Sequence, residues 1–171
     1  MRFFSWVLCF LLILLWSSSC GYHLAGYGSA LPSHIRAISI PVFKNFSGEP
    51  NIQKDATDAV RRAFISDGRL KVVDTRKADL LMRGILTNYQ LRAVSFNSED
   101  SVEEYIVRLG IQVEAYDQIK KKTIFNQKFT TQWDYRSTSS VVDSESAKYM
   151  ALKEAYDDLA DRLVSITIEQ F

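Results

Sequence analysis

Three patterns in the sequence predict an α+β fold: a two-layer sandwich whose mostly antiparallel or mixed sheet carries two amphipathic helices on one face. Between Tyr105 and Tyr135, two long runs alternate apolar and polar residues across a short polar turn, QIKKK, which is the pattern of an antiparallel hairpin. Two other stretches, Asn51 to Ser66 and Ser144 to Ile166, repeat apolar residues every three or four positions, the period of a helix. Neither helix can bury its stripe alone, and a sheet with one apolar face is the simplest partner for both.

The chain opens with Arg2, an apolar run from Phe3 to Trp16, three serines and Cys20. That run is too short for a membrane-spanning helix, which needs roughly 20 apolar residues, but it has the form of an export signal. A cysteine directly after the small residues is where bacterial lipoproteins are acylated and cleaved. Residues 1–19 are therefore read as a lipoprotein signal peptide and Cys20 as the lipid anchor. An ordinary cleaved signal and an uncleaved anchor are the alternatives. Ser17 stands where the usual lipoprotein box has Leu. Gly21, rather than Asp, after Cys20 fits sorting onward to the outer membrane. Cys9 leaves with the signal, so Cys20 has no thiol to pair with in an oxidising compartment.

Residues 20–34 contain three glycines and Pro32 but no periodic pattern, as suits a lipidated arm. Residues 35–171 form the single α+β domain, a size that buries about two-thirds of its surface without staples. In Ile35–Phe43, Ile38, Ile40 and Val42 share one face of a strand, with Pro41 confining it to an edge or an end. A loop follows, and Pro50 suits the first helical position. The first helix carries Ile52, Ala56, Ala59, Val60, Ala63 and Phe64 on its stripe and stops at Asp67-Gly68. Leu70 to Val73 is a short strand. Ala78 to Arg92 is extended but alternates less cleanly, and Gly84 within it suggests a bulge or close packing. After a loop over residues 93–101 comes the hairpin. Asp143 or Ser144 is expected to cap the last helix, whose stripe is Leu152, Ala155, Leu159, Leu163 and Ile166.

Little in the sequence points to catalysis, and the chain is read as a non-enzyme. His23 and His34 both fall in the arm without other ligands at metal spacing, and no Walker or dinucleotide glycine spacing occurs. The carboxylate pairs Glu103-Glu104 and Asp157-Asp158 read as solvated surface groups. Full-length charge is 21 basic against 20 acidic residues, and losing Arg2 balances them, so a basic field for nucleic acid is excluded. No cofactor is expected. One cluster stands out: Lys120, Lys121 and Lys122 at the hairpin tip, able to meet phosphates or an acidic partner as point charges, or simply to solubilise the turn. Arg92 falls at the same end or the opposite one, depending on register. With helices on one face, the other face is broad and polar, bearing Gln112, Glu114, Asn126, Lys128, Thr130 and Gln132, and open to a partner or to plain solvent.

Cys20-Gly21-Tyr22-His23-Leu24 resembles the mature start of the LPS-assembly lipoprotein family LptE. The likeness continues through Leu31-Pro32, Phe43-Lys44-Asn45, Glu49-Pro50, Asp67-Gly68-Arg69-Leu70, Val72-Val73, Ala78-Asp79-Leu80 and Gly84. The resemblance implies a lipid-anchored outer-membrane protein of a Gram-negative bacterium that plugs and helps assemble the β-barrel LptD and assists lipopolysaccharide delivery. It also implies that lipopolysaccharide is met by cations, here Lys120 to Lys122 or Arg92. A different envelope adaptor, part of a secretion or transport complex, is the alternative reading.

Overall fold

The computed structural model describes residues 31–138 and 140–169. The export signal, Cys20 and the arm up to residue 30 lie outside the described residues.

The described chain runs β1 (Ala37–Ser39), β2 (Lys44–Asn45), α1 (Ile52–Asp67), β3 (Lys71–Val72), a 3-10 turn (Thr75–Lys77), β4 (Leu80–Phe96), β5 (Val102–Asp117), β6 (Lys122–Arg136) and α2 (Val141–Glu169). Strand order is β3-β1-β4-β5-β6, with β2 also paired to β4. The short strands pair in parallel and the three long ones antiparallel, giving an open mixed sheet. Both helices and one sheet face share a single apolar core that includes Ile38, Phe64, Met82, Leu109, Ile111, Leu159 and Leu163. The α+β architecture predicted from the sequence is the one observed.

Strand β1 is short because Ser39 is followed within two residues by Pro41, which has no N–H to extend the ladder. Ile38 and Ile40 are buried as expected, but Val42 is exposed, because the extended run breaks at Pro41 and the chain crosses toward β2. Asp79 fixes the start of β1: its Oδ2 accepts the backbone N–H groups of both Arg36 and Ala37 at 2.9 Å.

Pro50 is not the first helical residue. Asn51, in the left-handed region at φ 67°, precedes Ile52, so the helix begins two residues beyond the proline. Asn45 organises the loop before it: its side-chain amide donates to the Glu49 carbonyl and Gln53, and its oxygen accepts from Ser47. At the other end Gly68 takes the left-handed conformation, φ 74°, and its N–H bonds back to the Phe64 carbonyl. Helix α2 begins earlier than its expected caps. Ser140 precedes it, and the Ser140 hydroxyl accepts from the Asp143 N–H at 3.4 Å, which is the capping geometry.

The uneven alternation of β4 has a local cause. Register with β5 shifts between Leu86 and Asn88, leaving Thr87 as an extra residue in the strand. Before the bulge Leu80, Met82 and Leu86 face the helices; beyond it Tyr89, opposite Leu109, and Leu91, opposite Val107, take over that face. Gly84 is a site of close packing: a β-carbon there would lie 2.6 Å from the Phe43 ring. The stretch expected to loop from residue 93 stays in β4 to Phe96, and a tight turn through Asn97 and Ser101 closes onto β5.

Candidate interaction surfaces

The hairpin register fixes what the uncovered sheet face presents. Gln112 lies opposite Lys128, Glu114 opposite Asn126, Gly110 opposite Thr130 and Arg108 opposite Gln132. The six polar residues singled out in the sequence therefore share one face. They are tied across strands: Gln112 Nε2 donates to Asn126 at 2.9 Å, Arg108 donates to Gln132 at 3.1 Å, and Thr123 donates to Glu114 at 3.2 Å. Glu114 also faces Arg83 of β4 at 3.8 Å. Such exposed pairs add little stability each, but they hold the side chains in an ordered polar surface. At the β2–β4 side this face deepens into a cleft of about 330 Å³ lined by residues including Val42, Lys44, Arg83, Ile85, Gln112 and Glu114. Arg83 was not among the expected residues, because the sequence does not reveal how β4 registers against β5; Arg108, by contrast, stands on the same parity of β5 as Gln112 and Glu114 and was passed over.

The four cations the sequence offered do not form one site. The turn with Lys120 to Lys122 joins Asp117, opposite Leu80, to the start of β6, whereas Arg92 pairs with Ile106. Twelve residues of β4 separate those levels, roughly 40 Å at 3.4 Å per residue. Arg92 instead shares a small groove at the far end with Gln90, Val94, Ile106 and Arg108. That end is also the more apolar one: Phe96, Trp133, Val141, Val142, Tyr149 and Met150 are all exposed there.

His34, set aside in the sequence as part of the arm, belongs to the fold. Its Nε2 donates to Asp117 Oδ2 at 2.8 Å across 83 positions of sequence. Asp117 is 1% exposed, and its other oxygen accepts the backbone N–H groups of Ile119 and Lys120. Burial alone would raise the Asp117 pKa. The bonds from His34, Lys120 and Ile119 outweigh it and hold the carboxyl below its ordinary 3.8. A carboxyl depressed by folding stabilises the protein above its unfolded pKa and loses that contribution as pH falls through the folded value. Asp117→Asn is therefore expected to cost about 1.5–3 kcal/mol at neutral pH. Denaturant midpoints of the two proteins, measured from pH 7 downward, should converge as the pH drops below 3.8. A constant gap down to acid pH would contradict this role.

In the helix-facing layer Tyr105 and Tyr135 stack with ring centroids 5.4 Å apart. The Tyr89 hydroxyl is buried without a hydrogen-bond partner among the described residues, and burial pushes its pKa up to about 12. Among the described residues no group of three or more His, Cys, Asp or Glu side chains could hold a metal ion. No described helix is long and apolar enough to cross a membrane.

Solved structures with this fold include the rare lipoprotein B from Shewanella oneidensis. It is 18% identical, with a TM-score of 0.54, over 77% of this chain and 93% of that one. Lipoprotein B from Nitrosomonas europaea is similar at 18% identity and TM-score 0.54, over 84% of this chain and 87% of that one. The hypothetical protein CT253 from Chlamydia trachomatis matches at 9% identity and TM-score 0.59, over 78% and 95%. At these identities the likeness is one of fold. No curated protein sequence matches the chain. The model of the family described as "LptE: Lipopolysaccharide-assembly" matches residues 35–165, which takes in every strand and nearly all of both helices. The chain belongs to the LptE family of non-catalytic lipopolysaccharide-assembly lipoproteins.

Proposed function

We propose that this protein is anchored through Cys20 in the outer membrane, where it plugs and helps assemble an LptD-type β-barrel and assists lipopolysaccharide delivery to the cell surface. The observation that carries this reading is the asymmetry of the sandwich. Two helices seal one sheet face, while the other stays uncovered and polar along a hairpin roughly 50 Å long at 3.4 Å per residue. A water-filled barrel has a polar inner wall, so a polar plug surface can pair with it by hydrogen bonds. Gln112, Glu114, Asn126, Lys128, Thr130 and Gln132 are the residues assigned to that contact, with Arg83 and Arg108 beside them. At the far end, Arg92 and Arg108 flank Val94 and Ile106, a cationic and apolar combination suited to lipopolysaccharide phosphates and acyl chains.

The test is photocrosslinking in living cells, with a photoreactive residue at Lys128 or Thr130 on the open face and, as a control, at Lys153 on α2. The open-face probes should capture an integral outer-membrane barrel and the α2 probe should not. Capture of a periplasmic or inner-membrane component by the open face would favour the envelope-adaptor reading and overturn the plug.

A further inference from the structure

We propose that the β5–β6 turn, Ile119 to Lys122, is a second membrane contact. It docks on the anionic phospholipid headgroups of the leaflet that holds the N-terminal lipid. The inference rests on the reading of Cys20 as the anchor.

Three observations on the turn converge. Lys120, Lys121 and Lys122 are all exposed, and no ion pair among the described residues involves any of them. Lys121 takes the left-handed conformation, φ 54°, which makes it a corner residue of the turn. Ile119, directly before the lysines, is 53% exposed at the same tip. An exposed apolar side chain beside three ammonium groups is the pattern of a surface that sits on a charged membrane: the apolar group enters the headgroup layer and the cations meet phosphates. Asp117, the acid nearest in sequence, does not cancel this charge toward solvent, because it is buried and engaged by His34 and the turn's own amides.

Position is the further argument. Through His34 the segment leading back to Cys20 is clamped to this turn and not to the far end of the hairpin. Thirteen residues separate Cys20 from His34. Even fully extended, that stretch reaches no more than about 50 Å. The lipid therefore holds the lysine turn within that reach of its own leaflet, and Arg92 lies roughly 40 Å from the turn along β4. The tether supplies high local concentration, and three lysines then add on the order of a tenfold to hundredfold preference for an anionic surface.

The experiment uses the full mature lipoprotein carrying a fluorophore on Thr123→Cys, reconstituted in three kinds of vesicle. These are phosphatidylcholine alone, phosphatidylcholine with phosphatidylglycerol, and phosphatidylcholine with lipopolysaccharide. An aqueous collisional quencher reads the exposure of the turn. Several-fold protection is expected with phosphatidylglycerol, relieved by salt and lost in the K120Q/K121Q/K122Q variant, whose thermal midpoint should match that of the parent. Equal quenching with and without phosphatidylglycerol would overturn the proposal. Protection by lipopolysaccharide alone would also overturn it and assign the lysines to that ligand's phosphates. Intact-mass measurement of the mature protein reports Cys20 acylation separately. An acylated protein with an unprotected turn refutes only the turn contact, whereas a missing acyl group refutes the anchor whatever the quenching shows.

Discussion

Gly84→Val is expected to destabilise the protein by about 3 kcal/mol, a thermal midpoint roughly 6–12 °C lower for a domain of this size. On strand propensity alone the change would be favourable, since valine suits a strand and glycine weakens one. The neighbourhood reverses the sign. A β-carbon at Gly84 would sit 2.6 to 2.9 Å from three atoms of the Phe43 ring, and that ring is itself buried at 2% exposure. The contact reaches the ring carbon nearest the backbone, so Phe43 cannot escape by swinging its far edge. Phe43 is held in turn by its N–H, which donates to the buried Thr57 hydroxyl at 3.0 Å. Trimming the ring with Phe43→Leu in the Gly84→Val background should recover part of the loss, although each single change is destabilising. Thermal denaturation of the four proteins measures that coupling. An unchanged midpoint for Gly84→Val would mean that Phe43 does not pack over β4.

Leu159→Ala is expected to cost about 2–5 kcal/mol, whereas Leu152→Ala, on the same helical stripe, should cost under about 2. Leu159 has no exposed surface and belongs to the core where α2 meets the sheet and α1; Leu152 is only partly buried at its edge. A truncated Leu159 leaves a cavity with packed walls on every side, while the surroundings of Leu152 can close or admit water. Urea denaturation of the two variants should separate their midpoints clearly, and equal losses would contradict the described packing.

Those two leucines show where sequence periodicity stops. The three-to-four spacing identified α2 and its inward side, but it weighted Leu152, Leu159, Leu163 and Ile166 alike. It also gave no notice of Tyr156, Val164 and Ile168, which are buried with Leu159 and Leu163. Helix α1 was more legible, because Ile52, Ala56, Ala59, Val60 and Phe64 form one narrow stripe and all are buried. The β5–β6 hairpin was the most legible part. Its alternation is continuous, its turn is short, and the observed register keeps Val107, Leu109, Ile111, Val113 and Ala115 on the core face. The polar set from Gln112 to Gln132 could be read for the same reason: once one parity is buried, the other must be outside.

What the sequence by itself determined was thus the α+β class, the two helices, the long hairpin and the polar face opposite the core. Each follows from a repeat of two or of three to four residues that is complete within one segment. The tertiary structure decided how the segments meet. The two-residue strand β2, in a stretch that reads as a loop, is too short to carry any periodicity and exists because β4 offers it an edge; the short strand expected at Leu70 to Val73 is β3, but its parallel pairing with β1 is settled only in the fold. The bulge at Thr87 exchanges the faces of β4, and only the ladder with β5 reveals it. The separation of Arg92 from Lys120 to Lys122 depends on that same register. The His34–Asp117 bond joins residues 83 positions apart. Contacts of this kind arise from long-range geometry, which leaves no local pattern in the chain, and they turn a scattered set of cations into a protein with one lysine-tipped end and one apolar end.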